Sequence, residues 1–195
     1  MGEAKRKAKL GVAASPCRGC TSCCTLPAIN ALDKPMYRPC RHIAAQAAGG
    51  LGCGIFGAPE RPETCRAYEC AYLTAQRTGH PDRRRIPHPL DAGAYFHKDP
   101  LENALVVFVD PDRPLAWKRS ALVEIFRSGV AAGMPLVIFD RGRRMTIRTP
   151  RQYEEIVRRD MVAFADAQGM PREIASFETE HRPQPSAVSS GSAIP

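Results

Sequence analysis

A chain of 195 residues is long enough for one ordinary core, or for a core with a small satellite module. Its 44% hydrophobic and 25% charged residues describe a soluble globular protein, and no run approaches the roughly 18 consecutive apolar residues of a membrane-spanning helix. The net charge of +8 sits largely in Lys5, Arg6, Lys7 and Lys9, in Arg83, Arg84 and Arg85, and in Arg141, Arg143 and Arg144. These clusters are dispersed and lack interleaved aromatics for base stacking, so nucleic acid is the weakest of the partners considered.

Residues 1–15 read as a basic, flexible tail without apolar periodicity. Leu10 to Ala14 is shorter than the roughly 7–15 apolar residues of a secretory signal, so the expected compartment is the cytoplasm. In a reducing compartment clustered thiols are better read as ligands than as disulfides.

Residues 16–78 hold every cysteine of the chain: Cys17, Cys20, Cys23, Cys24, Cys40, Cys53, Cys65 and Cys70. The opening run Cys17-Arg-Gly-Cys20-Thr-Ser-Cys23-Cys24 places a sulfur at every third residue around tight turns, which lets several converge on one centre. Between Cys24 and Cys40 the chain is punctuated by Pro27, Pro35 and Pro39 and reads as extended. Arg41 to Ala48 reads as a short turn of helix. The glycines around Cys53 permit positive φ and close backbone approach, so that backbone N–H groups can donate to its sulfur. Pro62-Glu63 reads as a helix start, placing Cys65 near a positive dipole end that favours the thiolate. Cys65 and Cys70 lie about 140° apart on an ideal helix, so they share an ion only if that helix is broken.

The run Cys17-x2-Cys20-x2-Cys23-Cys24, then Lys34-Pro35 ahead of Cys40, Gly52-Cys53-Gly-Ile-Phe and Arg61-Pro62-x2-Cys65-Arg66-x-Tyr-x-Cys70 resembles the CxxCxxCC family. That family is described as a zinc- or iron-chelating domain. The resemblance covers roughly residues 17 to 75 and implies metal chelation by all eight cysteines. Gly57-Ala-Pro-Glu60 departs from it as a slightly lengthened loop. Flagellin lysine methylases carry a similar cysteine block, which keeps an iron–sulfur alternative open.

Residues 79–103 read as a Pro/Arg-rich connector whose histidines, His80, His88 and His97, are expected at the surface. Together they form a weak alternative metal site. Residues 104–172 read as a small α+β segment in the order strand, helix, hairpin, helix. Ala104 to Val109 is a continuous apolar run and hence a buried strand. Trp117 to Ala132 is a helix stopped by Gly133, and Pro135 to Asp140 a second strand. Arg141-Gly142 turns into a partner strand, Arg144 to Arg148. Thr149 and Gln152 form a capping box for a helix running to Gly169. Residues 173–195 have the composition of a disordered tail.

The expected fold class is therefore α+β, an irregular cysteine-rich module packed on a small α/β layer. Adjacent Cys23 and Cys24 diverge, so the eight thiols divide naturally into two four-thiolate sites; one iron–sulfur cluster with a structural zinc is the alternative. His42 is not needed as a ligand, and Tyr68 reads as a packing residue. Asp110 and Asp112 pair either as an acid–base or magnesium site or, more simply, as a turn. No catalytic constellation is recognised: there is no Ser/His/Asp order, phosphate-cradling loop or dinucleotide fingerprint. The leading function is chelation of zinc or iron, with the metal holding the fold together. An iron–sulfur electron-transfer protein comes second, and a zinc-ribbon-like nucleic-acid binder third.

Overall fold

The computed structural model describes residue 17, residues 19–46 and residues 49–170. The two expected tails lie outside the described residues. The first part of the chain is irregular: a single helical turn α1 (Ser22–Thr25), a short hairpin of β1 (Ile43–Ala45) and β2 (Leu51–Cys53), and helices α2 (Glu63–Ala67) and α3 (Ala71–Thr78). Where a turn of helix is expected from Arg41, the chain forms β1 instead. Its residues pair antiparallel with β2, Ile43 opposite Cys53 and Ala45 opposite Leu51.

The chain then builds α4 (Pro89–Ala92), β3 (Ala94–Asp99), β4 (Ala104–Val109), α5 (Leu122–Ala131), β5 (Leu136–Asp140), β6 (Arg143–Ile147), α6 (Pro150–Arg158) and α7 (Met161–Ala167). The fold is α+β. One sheet runs in the order β3-β4-β5-β6; β4 and β5 are parallel and the outer pairs antiparallel. The parallel pair requires a crossover, and α5 supplies it.

Three further features differ from the sequence reading. The segment read as a connector contains β3, fully paired with β4 from Ala94–Val109 to Asp99–Ala104. The last helix is broken in two. Asp160 stops α6 and caps α7, its Oδ1 accepting from the N–H groups of Val162 and Ala163 at 3.1 Å each. The capping box of Thr149 and Gln152 at the start of α6 is present as expected. Trp117 to Arg119 is a separate 3-10 turn ahead of α5.

Strand periodicity divides the core cleanly. Ala94, Phe96, Leu105, Val107, Val109, Leu136, Ile138 and Ile147 point to one face, where Trp117, Leu122, Phe126, Val130, Tyr153 and Ile156 cover them. Tyr95, Ala104, Val106, Phe108, Val137 and Phe139 point to the other, where Leu26 and Cys70 are buried against them. Cys23, Met36, Tyr37, Tyr68, Tyr72 and Leu73 pack around that second cluster. The cysteine-rich segment is thus the second cover of the sheet and shares its core. Across that face Tyr95, Phe108 and Phe139 stack, with ring centroids 5.2 and 4.8 Å apart and nearly parallel planes. Among the described residues no helix is long and apolar enough to cross a membrane.

Candidate metal centre

The C-x2-C turn is closed by the Cys20 N–H donating to Cys17 O at 2.8 Å, with Gly19 at φ +81° where a side chain would be strained. Cys23 and Cys24 follow on α1, and one residue of helix separates their side chains by about 100°. Cys23 therefore turns toward the sheet, where it packs on the Tyr95–Phe108 cluster. Cys24 lies beside the next loop, its carbonyl accepting from Cys40 N–H at 2.8 Å. Their sulfurs are 3.9 Å apart.

The β1–β2 hairpin joins Cys40 to Cys53. Cys40 O accepts from Ile43 N–H, the first residue of β1, and Cys53 sits opposite Ile43 at the end of β2. Gly54 is needed for this close approach: a Cβ there would meet Ala44 Cβ and His42 O at 3.1 Å each. The expected backbone donor to Cys53 is Ile55, whose N–H favours the thiolate against the burial that raises its pKa. The helix expected across Cys65 and Cys70 is broken. Cys65 lies in α2, and Cys70 is the N-cap residue of α3. Cys65 does not gain a lowered pKa from its helix. Burial raises it, and Arg61 only partly opposes this, because a helix of 5 residues supplies little dipole.

The electrostatic neighbours of the thiols fall into two groups. Cys23 feels Cys17 and Cys70, and Cys70 feels Cys20 and Cys17. Cys53 feels Cys24 and Cys40, and Cys65 feels Cys24, Cys40 and Cys53. The groups are Cys17, Cys20, Cys23, Cys70 and Cys24, Cys40, Cys53, Cys65, touching through the Cys23–Cys24 pair. None of the eight is in a disulfide. Within neither group do the sulfurs close on a point: among the described residues, no three His, Cys, Asp or Glu side chains form a group that could hold a metal ion.

The surroundings of the two groups differ. Beside Cys23 and Cys70, the Tyr68 hydroxyl lies 2.6 Å from Tyr95 Oη and 2.7 Å from His97 Nδ1. Tyr68 therefore does more than pack, and His97 is buried on β3, 9% exposed, rather than at the surface. Burial raises Cys70 to about 11, and raises Tyr68 and Tyr95 well above the ordinary phenol value. Beside Cys24 lie two cations, Lys34 and Arg61, which help lower it to about 7 after the larger effect of the hydrogen bond from Cys23.

His88, expected at the surface as part of a weak alternative metal site, is half-buried and ties the first cysteine of the run to α4. Its Nδ1 accepts from Leu90 N–H at 3.4 Å, so Nε2 carries the proton and donates to Cys17 O at 3.2 Å. His80 caps a 3-10 turn through Asp82 N–H, and the three connector histidines do not meet. His42 contributes its N–H to Cys40 Sγ at 3.5 Å. Asp110 closes a turn, accepting from Asp112 N–H at 3.0 Å and pairing with Arg113 at 3.1 Å. Arg141 and Arg143 pair with Asp140, Asp160 and Asp166, so their charge is met by carboxylates within the fold. Two shallow surface grooves, of about 580 and 610 Å³, are lined by Arg66, Arg77 and Lys98 and by Arg83, Arg84 and His88, and no cysteine opens into either.

No family model, no curated protein and no solved structure matches the chain.

Proposed function

We propose that the protein chelates zinc or iron through two four-cysteine sets, Cys17, Cys20, Cys23, Cys70 and Cys24, Cys40, Cys53, Cys65, and that the metal stabilises the cysteine-rich cover of the sheet. The observation that supports this reading is the sorting of all eight thiols into two groups of four, divided between the adjacent pair Cys23 and Cys24. Four thiolates suit a closed tetrahedral zinc site or a cubane cluster equally. The sulfurs of a set must rotate and draw together to share an ion. Two bound ions would together cross-link α1, the hairpin, α2 and the cap of α3, segments with few large apolar side chains of their own.

The test is anaerobic purification of the full chain followed by elemental analysis and a visible spectrum. About two equivalents of colourless zinc support two structural zinc sites. Iron with inorganic sulfide and a broad visible band support the cluster form. A chain that carries no metal as isolated, and takes up none on anaerobic reconstitution with zinc or with iron and sulfide, overturns the proposal.

A further inference from the structure

Lys34 is 5% exposed, and its ammonium donates to three backbone carbonyls: Thr25 O at 3.0 Å, Pro35 O at 3.2 Å, and Pro27 O. Its three donors are therefore used, but no carboxylate pairs with it among the described residues. A buried cation without an anion is strongly unfavourable. A buried arginine is treated differently: Arg143, 8% exposed, meets Asp166 at 2.6 Å. The groups that act on Lys34 are thiols, those of Cys40, Cys24, Cys23 and Cys65, and they oppose the burial that draws its pKa down to about 8. Three of those four belong to one set.

Arg61 repeats the pattern. It is half-buried, stacks over Phe56 with its guanidinium carbon 4.7 Å from the ring centroid, and donates through Nη2 to Cys65 O. Its Nε is buried without a hydrogen-bond partner, and no carboxylate pairs with it among the described residues. It favours the thiolates of Cys24, Cys53 and Cys65. In the other set Lys34 reaches Cys23, the neighbour of Cys24, while the groups acting on Cys70 are thiols and backbone.

We propose that Lys34 and Arg61 are the built-in counter-charge of the Cys24–Cys40–Cys53–Cys65 set, and that they make it the tighter-binding of the two sets. The inference rests on the two-set reading above. Four thiolates around a divalent ion, or around an oxidised four-iron cluster, carry a formal charge of −2, which these two cations cancel. Lys34 is a positioning residue: it touches no metal, and it holds the Cys24-to-Cys40 loop while supplying charge. Replacing a group of this kind weakens metal binding by roughly 10–100-fold.

The experiment is an anaerobic Co²⁺ titration of the full-length chain stripped of metal, read by thiolate-to-cobalt absorption. Two phases are expected. Cys53→Ser should remove the tighter and Cys20→Ser the weaker. Lys34→Met, of similar length and no charge, should weaken the tighter phase by roughly 10-fold or more and leave the weaker one in place. Lys34→Arg should restore much of the loss, which a purely steric role would not predict. If Lys34→Met does not fold, Arg61→Gln carries the same comparison. Two unchanged phases in the neutral variants overturn this inference and leave the two-set reading standing. A wild-type chain that binds no Co²⁺ overturns this inference, and one that also takes up neither zinc nor iron with sulfide overturns both.

Discussion

The Cys23 and Cys24 sulfurs, 3.9 Å apart on one helical turn, are held in opposite protonation preferences. Cys23, buried against the sheet, keeps its proton and directs it to Cys24, whose pKa falls to about 7 with further help from Lys34 and Arg61. A thiolate is the nucleophile, so Cys24 should be the first cysteine alkylated when the metal-stripped chain meets iodoacetamide near neutral pH. Peptide mapping at short times should show Cys24 modified several-fold ahead of Cys23 and Cys70. Lys34→Met should slow it. Labelling at equal rates across the three would contradict the arrangement.

The sheet's second face predicts what couples the cysteine-rich cover to the α/β layer. Phe108 is fully buried and stacks on both Tyr95 and Phe139 beneath Cys23 and Cys70. Phe108→Ala should cost about 3–5 kcal/mol in chemical denaturation. Because the two covers share that core, hydrogen exchange in α3 should rise along with exchange in β4. Exchange confined to β4 would mean that the cover docks independently.

Much of this arrangement is legible in the residues, and the exceptions have physical reasons. The apolar run Ala104–Val109 declares a strand covered on both faces, and every residue of β4 is indeed buried. Thr149 and Gln152 declare their helix start through reciprocal caps. β3 is not legible because Ala94-Tyr-Phe-His-Lys-Asp99 carries polar residues that are satisfied only by tertiary partners, His97 by Tyr68 and Asp99 by the N–H groups of Leu101 and Glu102. β1 is alanine-rich and reads as helix; the hairpin with β2 overrides that propensity. The helix break at Asp160 hides inside an apolar period that continues through it. At the site, the division of the thiols follows from Cys23 and Cys24 being adjacent, whereas the role of Lys34 depends on three carbonyls that only the folded loop brings together.

The Tyr68 hydroxyl links two partners, so the two tyrosines should not be equivalent. Tyr68→Phe deprives Tyr95 Oη and His97 Nδ1 of their shared contact at once. Tyr95→Phe leaves Tyr68 bonded to His97. Tyr68→Phe should therefore destabilise by about 1–3 kcal/mol in urea, and Tyr95→Phe by less. The double variant should cost less than the two single losses added together. A larger loss for Tyr95→Phe would contradict the shared role of Tyr68.

Arg141 makes Asp160 a contributor to the acid dependence of stability. Its guanidinium meets Asp160 at 2.7 and 3.1 Å, while Asp160 also caps α7, and these contacts hold its carboxyl below the usual aspartate range, the Arg141 bond being the largest cause. A carboxyl with a depressed folded-state pKa contributes stability that is fully present above its unfolded value of about 3.9 and is lost as pH falls through the folded value. Asp160→Asn should therefore flatten the pH dependence below about pH 4. At neutral pH it should lower stability by about 1–2 kcal/mol through the weakened cap and lost ion pair. The variant and the wild type should converge in acid, where the wild-type carboxyl is itself protonated. Parallel curves, offset equally at pH 7 and in strong acid, would show that the loss lies in packing rather than in the charge that Arg141 stabilises.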